Sequence, residues 1–188
     1  MKTIITHDGS FHADDVFAVA TLFLCFKSEE LKIIRSRLED VIETGDMAVD
    51  IGKRFEPKIG RFDHHQEDFL EKRANGIPYA AFGLVWREFG NQITGNDDVV
   101  NIVDLKLVAP LDASDNGVDV CTISGAVEPY DIPRMIASMN PVFFEVHSDE
   151  DRHVSFMKAV EIAKTIIQRE IVCAEEKIKT REILKQAY

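Results

Sequence analysis

The chain has 188 residues, 45% of them hydrophobic, and a net charge of −11 at pH 7, which suits one globular domain or a domain with an appendage. The negative charge argues against a broad basic nucleic-acid surface, although bound divalent cations can offset carboxylates locally. No apolar run is long enough to span a membrane. The beginning of the chain lacks a secretory apolar region and the three cysteines are far apart, so we expect a cytoplasmic protein.

Short β-branched runs alternate with helical patterns over the first 65 residues. A buried helix is predicted over Ala13–Phe26 and a short helix over Leu38–Thr44. The predicted strands lie around them, at Lys2–Thr6, Leu31–Arg37, Met47–Ile51 and Arg61–His64. This alternation predicts an α/β fold with a mostly parallel sheet and helices on both faces.

The chain beyond residue 65 is predicted to be mainly helical. A surface loop is predicted over 66–76, and two helices follow over Tyr79–Phe89 and Asp97–Leu111. A carboxylate-rich turn over Asp112–Gly117 and a segment of mixed pattern over Glu128–Asn140 come next. Apolar residues then recur near helical spacing over Asp149–Gln186, which predicts one or two long helices.

Two units are therefore expected, a catalytic α/β domain over 1–148 and a C-terminal helical extension over 149–188. The apolar stripe of the extension is interpreted as packing within the molecule. Assembly into a homodimer is the alternative.

Histidines and aspartates cluster at the ends of three predicted strands. His7 and His12 follow the first strand, Asp50 lies near the end of the third, and Asp63, His64 and His65 end or follow the fourth. Because ligands bind outside the carboxyl ends of parallel strands, we expect these groups to converge. Four histidines and at least four aspartates are too many for a single ion that keeps an open position. The set suits two divalent ions that share a carboxylate, activate water and stabilise a leaving oxygen at phosphorus.

Several of these residues also have simpler interpretations. Asp14 and Asp15 could cap the helix that begins near Ala13. The Asp63-His64-His65 run could be a surface turn, and the aspartates in Asp112–Gly117 could be ordinary helix-stop residues. Asp50 lies in an apolar strand, where an unpartnered carboxylate would be costly, so a metal ion or hydrogen bonds must compensate its charge.

Four motifs in fixed order resemble the DHH phosphoesterase superfamily, and within it the MYG-type (melanocyte-proliferating-gene) family of metal-dependent hydrolases. The motifs are His7–Asp15, Val49–Gly52, Phe62–Gln66 and Leu111–Gly117. Gly83–Trp86 and Asn140-Pro141 are further points of similarity. The chain departs from the pattern at Ala80–Phe82, where a Ser-rich stretch is expected.

The resemblance implies specific roles for the clustered residues. It assigns the metal ligands as His7, His12, Asp14, Asp50, Asp63, His64 and Asp112. Asp50 would bridge two ions, and Asp115 is the alternative to Asp112. The resemblance places His65 close to the scissile phosphate, and His64 and Asp63 are also assigned to catalysis.

The resemblance further implies a phosphodiesterase or 3′–5′ exonuclease that acts on RNA or short oligonucleotides. Two Mn²⁺ ions are the expected cofactors, with Mg²⁺ or another divalent ion as the alternative. One rival function is hydrolysis of a small phosphoanhydride or phosphomonoester such as pyrophosphate. The other is a metal-binding module with little catalysis.

Overall fold

The structure is a computed structural model that describes residues 1–145 and 148–187. Its sheet has five strands: β1 (Lys2–Thr6), β2 (Leu31–Arg35), β3 (Met47–Val49), β4 (Phe55–Glu56) and β5 (Arg61–Phe62). Their order in the sheet is β2-β1-β3-β5-β4, and β4 alone runs antiparallel to its neighbour, β5. The predicted α/β class and mostly parallel sheet are confirmed.

Seven α-helices surround this sheet in the described part of the chain. They are α1 (Ala13–Cys25), α2 (Glu39–Glu43), α3 (Ala81–Thr94), α4 (Asp97–Val103), α5 (Ala109–Asp115), α6 (Ile132–Ala137) and α7 (Asp149–Ala187). A π-helical segment, Asp104–Val108, joins α4 to α5 without a break. The wider turn precedes Pro110, which has no N–H to donate. The helix expected to stop at Leu111 therefore continues to Asp115, and Asp112 lies inside it.

Helices cover both faces of the sheet, but unequally. Ile4, Val49 and Phe62 point into the large core, which α1, α3, α4 and α7 complete. The neighbouring strand residues point the other way, where Ile5 and Ala48 pack on Ile42 of the short helix α2. This alternation explains why the strands are apolar on both faces, as in other parallel sheets enclosed by helices.

Helix α7 packs against α1 and α4, and its buried core side chains run from Phe156 to Ala174. Phe156, Val160, Ala163 and Ile167 are fully buried in the large core, so the apolar stripe is covered within the molecule over this length. Within the described residues, no helix is both long enough and apolar enough to cross a membrane.

Candidate metal centre

The carboxyl ends of β1, β3 and β5 bring the predicted residues together. His7 directly follows β1, Asp50 directly follows β3 and Asp63 directly follows β5. These three strands are neighbours in the parallel part of the sheet, so the residues after them emerge at one edge. The first turn of α1 adds His12 and Asp14 to the same edge, and Asp115 reaches it from the end of α5.

Three overlapping groups of side chains could hold metal ions. Within each group the candidate ligand atoms lie within 4.8 Å of one another. The groups are His7, His12 and Asp50; then Asp50, Asp63, His64 and His65; then Asp14, His64 and Asp115. The first two groups share Asp50 and the last two share His64, so the groups form one continuous cluster.

Asp50 lies at the middle of this cluster. Its Oδ2 is 3.4 Å from His7 Nε2, and its Oδ1 is 3.5 Å from His64 Nε2 and 3.3 Å from His65 Nδ1. Its backbone has a φ of 55°, a left-handed conformation that is rare for a residue other than glycine. Burial disfavours the carboxylate, but the nearby His64 and His7 outweigh burial and lower the pKa of Asp50.

The His7 ring is oriented by the backbone beside it. Its Nδ1 lies 2.9 Å from the Asp8 carbonyl oxygen, so Nδ1 carries the proton that donates and Nε2 faces the cluster. Backbone bonds of this kind commonly orient metal-binding histidines. Burial alone would lower the pKa of His7, but Asp15, 3.2 Å away, and Asp50 raise it to about 10.

Asp15, which the sequence suggests as a helix cap, contacts three groups: the N–H groups of His12 and Val16 and the His7 ring. Its Oδ1 accepts the His12 N–H at 2.8 Å, which caps α1, while its Oδ2 faces His7. The side chain is fully buried. Asp15 thus caps α1 as the sequence suggests. The contact of its Oδ2 with His7 could not be predicted, because it depends on how β1 meets α1.

The Asp63-His64-His65 run forms a tight turn around one carboxylate. Asp63 Oδ1 accepts the backbone N–H groups of His64 and His65 at 2.7 and 3.1 Å and lies 2.8 Å from His65 Nδ1. Asp63 Oδ2 accepts the Lys53 N–H. The hydrogen bond between His65 Nδ1 and Asp63 Oδ1 raises the pKa of His65, whose ring is 55% exposed.

His64 faces the opposite way, into the protein. Its Nε2 lies between Asp50 Oδ1, at 3.5 Å, and Asp115 Oδ2, at 3.2 Å. Burial lowers the pKa of His64, but Asp115 and Asp50 outweigh burial and raise it to about 11. His64 and His65 therefore point to different surroundings, one buried among carboxylates and the other half-exposed.

Asp14 supports helix α3 as well as facing the cluster. Its two oxygens accept the N–H groups of Ala81 and Phe82 at 3.0 and 2.8 Å. Ala80, the N-cap residue of α3, has no side chain able to do this. The beginning of α3, where the Ser-rich stretch is absent, is thus capped by a side chain of α1. Burial, with the charge of nearby Asp115, raises the pKa of Asp14 well above its ordinary value.

Asp112 does not join any of the three groups. Its Oδ1 accepts the Gly83 N–H at 3.0 Å, and its Oδ2 pairs with Arg73 Nη1 at 2.7 Å. Arg73 also binds Asp104, at the start of the π-helical segment. Burial raises the pKa of Asp112 to about 7. Asp112 and Asp115 are the two candidates for the last metal ligand. Asp115 lies in the cluster, whereas Asp112 is paired with Arg73.

Buried polar atoms in the cluster test whether a metal ion would fit. Asp50 Oδ1, His64 Nε2 and Asp15 Oδ2 are buried, and none makes a hydrogen bond of good geometry with the described residues. Burying such groups without a partner is costly. Imidazole nitrogens and carboxylate oxygens are suitable ligands for Mn²⁺, Fe²⁺ and Zn²⁺. The donor set therefore fits a divalent ion.

Two residues behind the cluster were not predicted as part of it. Arg35, the last residue of β2, donates to the His7 carbonyl at 3.2 Å and to the Gly9 carbonyl at 2.9 Å. Its guanidinium also stacks on the ring of Phe156. Asn140 binds the backbone of Phe11, next to His12. Sequence alone gave little signal for these contacts, because their partners are distant or are backbone atoms.

The fold and the cluster together define an α/β protein with a buried site that could hold a metal ion. A family model described as "Uncharacterised protein family (UPF0160)", which carries the MYG1 exonuclease name, matches residues 3–188. The chain belongs to this family, which confirms the resemblance of its motifs to the MYG-type family.

Curated relatives share this similarity over most of the chain. An MYG1 protein of Saccharomyces cerevisiae is 35% identical over 181 residues, which are 85% of this chain and 53% of the relative. An MYG1 protein of Dictyostelium discoideum is 34% identical over 176 residues, with the same coverage of 85% and 53%. The MYG1 exonuclease of Homo sapiens is 28% identical over 182 residues, 85% of this chain and 47% of the relative.

The chain thus spans about half the length of these curated relatives. No solved structure gives a significant match.

Proposed function

We propose that this chain is a metal-dependent phosphoester hydrolase that acts as a 3′–5′ exonuclease or phosphodiesterase on RNA or short oligonucleotides. Relatives that carry the name exonuclease support this proposal. The observation that carries it is the position of Asp50, whose two oxygens face two different groups of candidate ligands. A carboxylate shared in this way is the expected centre of a two-ion site.

The proposed ligands are those that meet in the cluster. One set is His7, His12 and Asp50, and the other draws on Asp50, Asp63, His64, Asp14 and Asp115. Asp115 replaces Asp112 in this proposal, because Asp112 is paired with Arg73. Two divalent ions, Mn²⁺ in the first instance, would activate a water molecule and stabilise the leaving oxygen.

His65 is proposed to act on the substrate. Its Nδ1 is held by Asp63 at 2.8 Å, which leaves Nε2 as the other ring nitrogen on a half-exposed ring. The hydrogen bond to Asp63 raises the pKa of His65, which favours the protonated ring. That proton on Nε2 could stabilise charge developing on phosphate or be donated to a leaving oxygen.

The test is manganese-dependent release of mononucleotides from a short RNA. The Asp63→Ala variant should lose at least about 100-fold in rate, because it removes the carboxylate that holds His65 and belongs to the ligand cluster. An Asp119→Ala variant is the matched control, since Asp119 is exposed and outside the cluster. Equal activity of the Asp63→Ala variant and the control would contradict the proposal.

A second candidate is hydrolysis of a small phosphoanhydride or phosphomonoester such as pyrophosphate. The net charge of −11 favours it, since long nucleic acids prefer basic surfaces. Phosphate release from pyrophosphate, without mononucleotide release from RNA, would select this function over the first.

The proposal also includes a cytoplasmic location, in line with three cysteines that form no disulfide.

Two units are also proposed, a catalytic domain over 1–148 and a helical extension over 149–188. Homodimer formation is a further proposal, for which the exposed apolar side chains of the second half of α7, such as Val172 and Ile183, are the candidate surface.

A further inference from the structure

A cavity of about 310 Å³ lies over the candidate metal centre. Ligand candidates form much of its wall, including His7, Asp50 and Asp63. Two cationic residues, Arg37 and Lys53, also line it, and no other lysine or arginine lines it within residues 1–145 and 148–187. Arg37 follows β2 and Lys53 follows β3, so the cations come from loops on either side of β1.

The backbone fixes where the Lys53 side chain begins. The Lys53 N–H donates to Asp63 Oδ2 at 2.6 Å, and the residue has a φ of 50°. A left-handed conformation of a residue other than glycine is costly and persists only where its surroundings impose it. The same carboxylate that belongs to the ligand cluster therefore anchors Lys53 beside the cavity.

Both cations are available to a ligand. The Lys53 ammonium makes no ion pair or hydrogen bond with the residues that the structure describes. Arg37 has one ion pair, with Asp8 at 3.2 Å, in which both side chains are more than half exposed. An exposed pair of this kind contributes little to stability, so a phosphate can replace Asp8 at small cost. Arg35 and Arg73 differ, because buried partners already occupy them.

The charge around the site favours cations at its rim for binding an anionic substrate. Five carboxylates surround the histidines, those of Asp14, Asp15, Asp50, Asp63 and Asp115. Two divalent ions would leave this wall close to neutral, in a molecule whose net charge is −11. Cations at the rim would therefore supply the local attraction that draws phosphate to the cavity.

We propose that Arg37 and Lys53 form a phosphate-binding subsite beside the metal centre, which binds a phosphate group next to the scissile one. The preferred substrate then carries at least two neighbouring phosphates, as a short oligonucleotide does. This inference rests on the proposed function and names the substrate chemistry of that site. The guanidinium can bind two phosphate oxygens at once, and the ammonium adds a point charge.

The test is equilibrium binding of a fluorescent trinucleotide whose two linkages are non-hydrolysable methylenephosphonates, measured by anisotropy on the manganese-loaded protein. The Arg37→Gln and Lys53→Gln variants should each bind about ten-fold more weakly, as expected for loss of a charge-assisted contact. The double variant should also show a salt dependence shallower by about 0.7 in log–log slope, because the contact with one single-strand phosphate is lost.

A Lys58→Gln/Lys179→Gln double variant is the control, because it removes the same charge from exposed positions outside the cavity. If the Arg37→Gln/Lys53→Gln variant binds the trinucleotide as well as this control does, the subsite is disproved. A dinucleotide analogue with one linkage should lose less affinity in the double variant than the trinucleotide does. Equal losses would overturn the assignment to a neighbouring phosphate.

Binding of the analogue does not require turnover, so the subsite and the proposed function fail separately. Absence of hydrolysis with intact, Arg37-dependent binding would reject the hydrolase and keep the subsite. Metal affinity, measured by calorimetry, should change less than about three-fold in both double variants, since neither cation is a ligand candidate. A larger loss confined to the Arg37→Gln/Lys53→Gln variant would show that these cations support the metal centre rather than the substrate.

Discussion

The side chain of Asn140 binds both backbone polar groups of Phe11. Its Oδ1 accepts the Phe11 N–H at 2.9 Å, and its Nδ2 donates to the Phe11 carbonyl at 2.8 Å. Phe11 is buried, packs edge-on against Phe156 of α7, and immediately precedes His12. A residue 129 positions further along the chain therefore fixes the backbone that presents a candidate ligand.

The Asn140→Ala variant should bind Mn²⁺ about ten-fold or more weakly than the wild type, because His12 loses its backbone support. Isothermal calorimetry on the purified protein measures the change. Asn91→Ala is the control, since it removes a side-chain hydrogen bond on the exposed face of α3, to Asp97. An unchanged metal affinity in Asn140→Ala would show that the bond to Phe11 serves only the fold.

Asp115 is expected to bind metal, whereas Asp112 is expected to stabilise the fold. Asp115→Asn should lower metal affinity or stoichiometry with less than about 1 kcal/mol of stability lost, because its side chain lies at the edge of the cluster. Asp112→Asn should cost about 1–3 kcal/mol, because the buried Arg73 keeps Asp104 but loses its second charged partner. Metal titration and urea denaturation of both variants measure the two effects. The opposite pattern would restore Asp112 as the ligand.

Gly83→Ala should destabilise the protein by about 3 kcal/mol or more. A methyl group at Gly83 would overlap the Asp112 carboxylate and approach Arg73, and both partners are buried. Chemical denaturation measures the loss. Gly125→Ala is the matched control, because its added carbon would meet only one atom, at ordinary contact distance. Similar stability of the two variants would mean that the helix and carboxylate can move apart at little cost.

Metal binding should release protons and strengthen as pH rises. In the metal-free protein, nearby carboxylates raise the pKa of His7 to about 10 and of His64 to about 11, despite the opposing effect of burial. Both rings are then protonated at pH 7, and an ion must displace those protons to reach the nitrogen. Metal affinity should therefore increase with pH until both rings have lost their protons, through the pKa values of about 10 and about 11, and calorimetry near pH 7 in buffers of different ionisation enthalpy should detect about two released protons. A binding enthalpy independent of the buffer would contradict this.

The sequence predicted the parts of the site that follow from strand order. A polar residue after an apolar run marks the carboxyl end of a strand, so His7, Asp50 and Asp63 could be placed at one edge before any coordinates. Strand β4 has two residues, and an alternation this short is not enough to predict a strand. The choice between Asp112 and Asp115 stayed open because it depends on how α5 rotates after the π-helical segment.

The sequence could not predict the contacts of the site that join segments far apart in the chain. The Asn140 bond to Phe11 and the Arg35 bonds to His7 and Gly9 join side chains to backbone atoms, which leave no pattern of residue types. Asp14 shows the same limit, since its partners on α3 are N–H groups that every residue except proline carries.

The double attachment of Asp14 has a consequence for how relatives of this chain can diverge. Its carboxylate holds the beginning of α3 in the core, so a lineage that gave up catalysis would still be penalised for losing it. Within residues 1–145 and 148–187, the contacts of the exposed His12 side chain are a capping contact with the Asp15 backbone and a contact with the His7 ring. Substitution of His12 would therefore be tolerated more easily than substitution of Asp14 once metal was no longer needed. Retention of His12 is therefore a more informative marker of an active family member than retention of Asp14.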